Sequence, residues 1–215
     1  MNIKASDVAA IIGRNPYKTE DEVLNERVRF YYGIDVDTSE TIFEKMLSEE
    51  PHDIQESVRN IISSKTVLDA HTEIKNVPES LKEYVKHEIY KNNGTIQENR
   101  TARKKQVISD GKMYTYPIYE NVRLVGYIDG RRMMNNQIVE IKNRQRRLFK
   151  RVPDYEFIQC QVYMKLTDTL KCTLIEQFQE ETMEHEIEYD DTLWTDEILP
   201  KLKMFAQRLI DSAPS

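Results

Sequence analysis

Residues 122–147, VRLVGYIDGRRMMNNQIVEIKNRQRR, decide how the rest of the chain is read. They lie inside a stretch, Tyr114 to Gln161, that reads as a β-meander followed by a helix. Tyr114–Tyr119 and Val122–Asp129 are rich in Tyr, Val, Leu and Ile, with a short turn at Glu120-Asn121 between them. A further strand, Gln137–Asn143, follows a polar turn around Gly130 and Asn135-Asn136. Successive side chains on a strand point to opposite faces, so Glu140 and Lys142 share one face and Ile141 takes the other. Asp129 ends the preceding strand, where hairpin pairing brings it beside Glu140. Two carboxylates and an ammonium then converge on one spot. That is the constellation of a metal-dependent phosphodiesterase, or an accident of patterning. Val-Glu-Ile-Lys is also how a half-exposed strand alternates, and Asp-Gly is a common turn.

Composition bounds the alternatives. At 215 residues the chain is long enough for one domain with a sizeable core. Hydrophobic residues make up 39% and charged residues 32%, as in a soluble protein with a well-solvated surface. No apolar run approaches the roughly 20 residues of a membrane helix, and MNIKASDVAA lacks the design of a secretory signal. Cys160 and Cys172 have no zinc-type spacing, which points to a reducing intracellular compartment, cytoplasm or nucleus. His52, His71, His87 and His185 are scattered, against a histidine-based metal site. The net charge of −6 means that a polyanion would be bound by a local patch.

In chain order, Ser6 is a good N-cap for a short helix that Gly13 ends. RNPY makes a turn, and Thr19 or Glu20 starts a helix reaching Tyr32, with Gly33 as its stop. Thr41–Ser48, Asp53–Ser63 and Pro78–Lys91 have helical spacing, broken by Pro51, Pro78 and Gly94. From Thr95 another helix carries Glu98 to about Val107. After the strands, Asp154–Leu166 is helical, Lys171–Gln179 and Met183–Tyr189 form a hairpin, and Trp194–Ile210 closes the chain. The reading is a mixed β-sheet flanked by helices. A mostly helical region, 1–93, packs on a core, 94–215, in one integrated domain.

Lys142, Arg144, Arg146, Arg147, Lys150 and Arg151 place six cations in ten residues. Such a run is often a solvated loop, but directly after the carboxylates it favours a phosphate backbone. Arg100, Arg103, Lys104 and Lys105 add to it. Glu98 alone is most simply a solvent-facing helix residue. Gln161, on the apolar face of its helix, needs a buried polar partner.

Several separate stretches together resemble the PD-(D/E)XK nuclease superfamily, and more narrowly its YqaJ-type viral recombinase exonucleases, the lambda-exonuclease-like family. Lys4-Ala5-Ser6-Asp7-Val8 through Gly13-Arg14-Asn15-Pro16-Tyr17 is similar to that family's opening motif. Gly94 through Glu98-Asn99 and Ala102-Arg103 resembles its "G...EN..AR" helix. Asp129 with Glu140-Ile141-Lys142 resembles its metal-binding core, and Gln159-Cys160-Gln161 with Tyr163-Met164 its "QxQ..M" helix. Residues 4–17 and about 94–166 are covered, and residues 20–92 are not. Ile128 stands where the superfamily name has Pro, and no Arg precedes the Ser6 motif where relatives place a 5′-phosphate ligand.

The resemblance implies a restriction-endonuclease-like α/β fold and a Mg²⁺- or Mn²⁺-dependent deoxyribonuclease, a 5′→3′ exonuclease of viral or phage-type recombination and repair. A structure-specific or nicking endonuclease with the same site, and a vestigial binding module, are the alternatives. Asp129, Glu140 and the Ile141 carbonyl are hard oxygen ligands for such an ion, with Glu98 completing the shell. Lys142 would orient or deprotonate the attacking water, and Gln161 would position the nucleophile or the lysine. Ser6, Lys4, Arg14, Arg103, Arg144, Arg146 and Arg147 are the expected DNA contacts, with Lys4 and Ser6 nearest a 5′-phosphate. DNA is the implied partner, with a single-strand annealing or recombination protein and a homo-oligomer as further expectations. No membrane partner is expected.

Overall fold

Ile3 and Leu124 explain why the first residues of the chain belong with its strands. Both are fully buried in one apolar cluster, because β1 (Asn2–Lys4) lies parallel to a later strand with Ile3 opposite Leu124. The computed structural model describes residues 1–33, 39–63, 73–135 and 137–214. It divides into two units, Asp35–Arg100 and the combination of Met1–Ile34 with Thr101–Ser215. The sequence reading set its boundary at 93/94 instead. The difference has a physical cause. The start of the chain buries apolar side chains with the strands, through β1 and through α1 (Val8–Ile11), whose Val8, Ala9, Ala10 and Ile11 are all buried.

A 3-10 turn, Ala5–Asp7, precedes α1, and Gly13 follows it at φ 78°. Thr19 then opens α2 (Glu20–Tyr32) with a full capping box. The Glu22 amide donates to the Thr19 hydroxyl at 3.3 Å, and the Thr19 amide donates to the Glu22 carboxylate at 2.7 Å. Gly33, at φ 64°, ends it in the left-handed region that glycine tolerates best.

In the Asp35–Arg100 unit, α3 (Ser39–Ser48) and α4 (His52–Ile62) contribute Phe43, Leu47, Val58 and Ile61 to a small core. Leu81, Val85 and Ile89 complete it. The last two come from α5 (Lys82–Lys104), which runs unbroken through Gly94. The sequence reading ended one helix before Gly94 and began another after it. One glycine costs a helix only about 1 kcal/mol, and the flanking residues favour the helix strongly enough to carry it.

The other unit holds the sheets. β2 (Val107–Ile108), β3 (Tyr114–Tyr119), β4 (Val122–Gly126), β5 (Gly130–Arg132) and β6 (Ile138–Asn143) precede α6 (Asp154–Thr167). β7 (Lys171–Phe178), β8 (Glu181–Glu188), α7 (Asp191–Leu193), a π-helical turn at Trp194–Ile198 and α8 (Leu199–Asp211) follow. The expected meander is in fact split. β1-β4-β3 form one sheet, and β2-β5-β6-β7-β8 form a mixed sheet in which only β6 and β7 run parallel. The chain leaves the first sheet after Gly126 and enters the second at Gly130, so Asp129 sits at the crossing. Gly130 therefore begins a strand rather than a turn; Asn135 does lie in a turn, as expected, and Asn136 falls outside the described residues.

Gly130 is required for a steric reason. A Cβ there would stand 2.6 Å from the Ile108 carbonyl oxygen, main-chain atoms that cannot swing away. Gly130→Ala should therefore destabilise the protein by about 1–3 kcal/mol in urea unfolding. Gly94→Ala, where a Cβ meets nothing within 4 Å, should be neutral or stabilising by about 0.5–1 kcal/mol. An equal response of the two variants would show that the approach of β2 to Gly130 is not tight.

Candidate active site

Gly130 pairs with Val139 in antiparallel register, which places Asp129 against Glu140. The Ile141 amide donates to Asp129 Oδ2 at 2.7 Å. β5 pairs with β6 no further than Val139, and the carboxylate takes the amide beyond the end of that ladder. Glu140 is 4% exposed and accepts from Lys142 Nζ at 2.5 Å. The carboxyl groups of Asp129 and Glu140 are within hydrogen-bonding reach of each other. The structure thus brings Asp129, Glu140, Ile141 and Lys142 together; Glu140 and Lys142 share a strand face as expected, while Asp129 lies in the crossing between the sheets rather than at a strand end. Glu98 stands on α5 in the Asp35–Arg100 unit, and the other four stand in the sheet-bearing unit.

Electrostatics set the protonation of these groups. Burial pushes the Asp129 carboxyl above its ordinary range, against the Ile141 amide and the charge of Lys142. Burial pulls Lys142 down, but the charge and hydrogen bond of Glu140, with the charge of Asp129, more than reverse this. Lys142 is therefore firmly an ammonium at neutral pH. In that state it can orient and neutralise.

The glutamine at the site is Gln159. Its Oε1 accepts from Lys142 Nζ at 3.0 Å, and its Nε2 donates to the Tyr163 hydroxyl at 2.9 Å. Gln161, the residue chosen from sequence, lies elsewhere. It donates to the Glu188 carbonyl and accepts from the Asp190 amide, both at 2.8 Å, fixing the end of β8. Two residues along a helix turn the side chain by about 200°, so these glutamines leave α6 on opposite sides. Burial and the charge of Glu140 push the Tyr163 phenol above its ordinary range, so it keeps its proton. The i, i+4 spacing of Gln159 and Tyr163 was the available sequence signal for this pair.

Several expected DNA contacts have other employment. Arg144 is 8% exposed; its Nη1 and Nη2 donate to the two Glu156 oxygens at 2.5 and 2.7 Å, and its Nε donates to Glu176 at 2.8 Å. Glu176 in turn accepts from the Phe149 and Lys150 amides and pairs with His185 Nε2 at 2.7 Å. Arg144 is thus a buried hub rather than a phosphate ligand. Arg14 forks onto Glu197 and also reaches Asp154 at 3.4 Å. Ser6 lies inside the 3-10 turn and caps no helix, correcting its reading as an N-cap; it and Lys4 are exposed. Arg103, Arg146 and Arg147 are exposed as well.

The donor set suits a hard divalent cation. Two carboxylates that meet in a buried place need a proton or a cation between them, and an all-oxygen set favours Mg²⁺ or Mn²⁺ over zinc. Among the described residues no group of three or more His, Cys, Asp or Glu side chains is placed to hold an ion. Asp129 and Glu140, with the Ile141 carbonyl, would be the oxygen donors for such an ion.

The sheet-bearing unit holds a mixed sheet carrying paired carboxylates and a lysine, flanked by helices. The alkaline exonuclease of Laribacter hongkongensis shares this fold, with a TM-score of 0.52 over 98% of this chain and 88% of that one, at 13% identity. The same enzyme in complex with dAMP gives a TM-score of 0.52 over 97% and 88%, at 14% identity. At these identities the likeness establishes the fold, as the resemblance in the sequence implied. No protein-family model matches the chain, and no curated protein matches it in sequence. Among the described residues no helix is long and apolar enough to cross a membrane.

Proposed function

We propose that the chain is a metal-dependent deoxyribonuclease, and within that class a 5′→3′ exonuclease serving recombination or repair. The observation that carries this reading is the meeting of Asp129, Glu140 and Lys142 where the chain crosses between two sheets, in a fold shared with an exonuclease. The neighbour solved with dAMP supports a deoxynucleotide as the ligand class. Asp129, Glu140 and the Ile141 carbonyl would hold the ion. A bound Mg²⁺ or Mn²⁺ supplies Lewis-acid polarisation of the scissile phosphate and a more acidic water.

The chain's own groups do the rest. Lys142 has three N–H donors, of which one goes to Glu140 and one to Gln159. A third is left for a phosphate oxygen, where a fixed ammonium stabilises charge that develops in the transition state. Gln159, locked by Tyr163, keeps that ammonium from swinging away.

Incubation with end-labelled linear duplex and closed circular duplex, in Mg²⁺, Mn²⁺ or EDTA, tests the reading. Cleavage of linear DNA alone, with 5′ mononucleotide release and none in EDTA, is expected. Rapid cutting of the circle would replace the exonuclease by an endonuclease, and inertness in every condition would remove the enzyme reading. Lys142→Ala should lower kcat by about 10²–10³-fold, with Mn²⁺ binding measured by calorimetry retained. Unchanged kcat would take Lys142 out of the chemistry.

A further inference from the structure

A second feature of the sheet-bearing unit has the chemistry of a strand-binding groove. It is a recess of about 1130 Å³ between the loop after β6, the start of α6 and the Arg14–Tyr17 turn. Aromatic and cationic side chains line it together. Tyr17 is 79% exposed, and its ring meets Tyr155 edge to face at 5.7 Å. Phe149 is 43% exposed, with the Arg144 guanidinium 4.0 Å from its ring centre. Arg147, Lys150 and Arg151 also line the recess, and among the described residues none of the three makes an ion pair. Two acids line it as well: Asp154, which Arg14 engages, and Glu181.

The loop that carries these cations is held rather than loose. Glu176 accepts the Phe149 amide at 2.7 Å and the Lys150 amide at 3.1 Å, from within the buried network that Arg144 closes. The groove also adjoins the carboxylate site. Tyr155 and Gln159 are four residues apart on α6, a rise of about 6 Å, and Gln159 bonds Lys142.

We propose that this groove binds unpaired DNA, with Arg147, Lys150 and Arg151 on the phosphates and bases stacking on Tyr17 and Phe149. Unpaired strands offer both partners at once, since their base faces are free for aromatic side chains and their phosphates for cations. In a duplex those faces are already stacked on one another. The choice of DNA rests on the nuclease reading above; the stacking itself does not.

The test is fluorescence anisotropy in EDTA, with a labelled oligo-dT, an abasic strand of equal length, an oligo-rU and a blunt duplex. Oligo-dT should bind more tightly than the abasic strand. Tyr17→Ala should weaken oligo-dT on the order of ten-fold and leave the abasic strand unchanged, while Tyr17→Phe retains the affinity. Arg151→Ala should weaken both strands and reduce the salt slope by about 0.7. Equal affinity for oligo-dT and the abasic strand, no effect of Tyr17→Ala, or the same Tyr17 dependence on duplex would overturn the groove. Tighter binding of oligo-rU would overturn its assignment to DNA. Binding that depends on Tyr17, in a protein that cuts nothing with Mg²⁺, would support the groove and reject only the nuclease reading.

Discussion

Asp129→Ala and Glu140→Ala should each reduce DNA cleavage on the order of 10³-fold or more, since each removes one of the two carboxylates that would hold the ion, worth several kcal/mol in the transition state. Mn²⁺ binding should weaken in parallel, while DNA binding in EDTA persists. Asp129 also satisfies the Ile141 amide, so the alanine variant loses stability as well as a ligand. Asp129→Asn separates the two effects, because its amide oxygen can still accept from Ile141 while the charge is gone. Asn is expected to fold with near wild-type stability and to cut as poorly as Ala. If Ala and Asn variants at both positions cleave at near wild-type rates, the carboxylates are not the active site.

Arg144→Ala should destabilise the protein by about 3–5 kcal/mol, read by urea unfolding, because it leaves Glu156 and Glu176 buried without their shared cation. Arg144→Lys should rescue little of this. A lysine cannot fork onto both oxygens of Glu156 while also reaching Glu176. A loss below about 1 kcal/mol in the alanine variant would mean that the network is solvated rather than buried. The network also shapes the acid limb. Burial pushes Glu176 up, but His185, the Phe149 amide and Arg144 together hold it below its ordinary value of 4.5. A carboxylate depressed by folding contributes stability that is present above its unfolded pKa and lost as pH falls through its folded pKa. The wild type should therefore lose stability steeply below pH 4.5, and Arg144→Ala should show a flatter acid limb.

Where local rules decided the structure, the sequence was a good guide. The helix start at Thr19, the glycine after α2 and the hairpin expected over Lys171–Gln179 and Met183–Tyr189, found at Lys171–Phe178 and Glu181–Glu188, all follow from short-range chemistry. So does the shared face of Glu140 and Lys142, because a strand has a strict two-residue period. What failed was the question of which polar side chains the tertiary fold covers. Arg144 continues the alternation of Glu140 and Lys142, and its amide still bonds Gln177 of β7. Its side chain therefore points where α6 supplies Glu156. No pattern within the basic run distinguishes that buried cation from exposed Arg146 and Arg147. The two glutamines of α6 were indistinguishable for a related reason. That helix buries residues on several sides, among them Ile158, Cys160, Gln161, Val162 and Tyr163. Hydrophobic periodicity then cannot say which side meets the carboxylates. The two-sheet split was hidden because Tyr127 and Ile128 are as strand-like as the residues before them.

The bond from the Ile141 amide to Asp129 joins the chemistry of the site to the backbone itself. One carboxylate both seals the open end of a ladder and faces the place where an ion would sit. The backbone proton of Ile141 is thus a natural gauge of the centre. Its exchange with deuterated solvent is governed by whether the crossing between the two sheets is closed, so the competence of the site can be followed without substrate, ion or turnover.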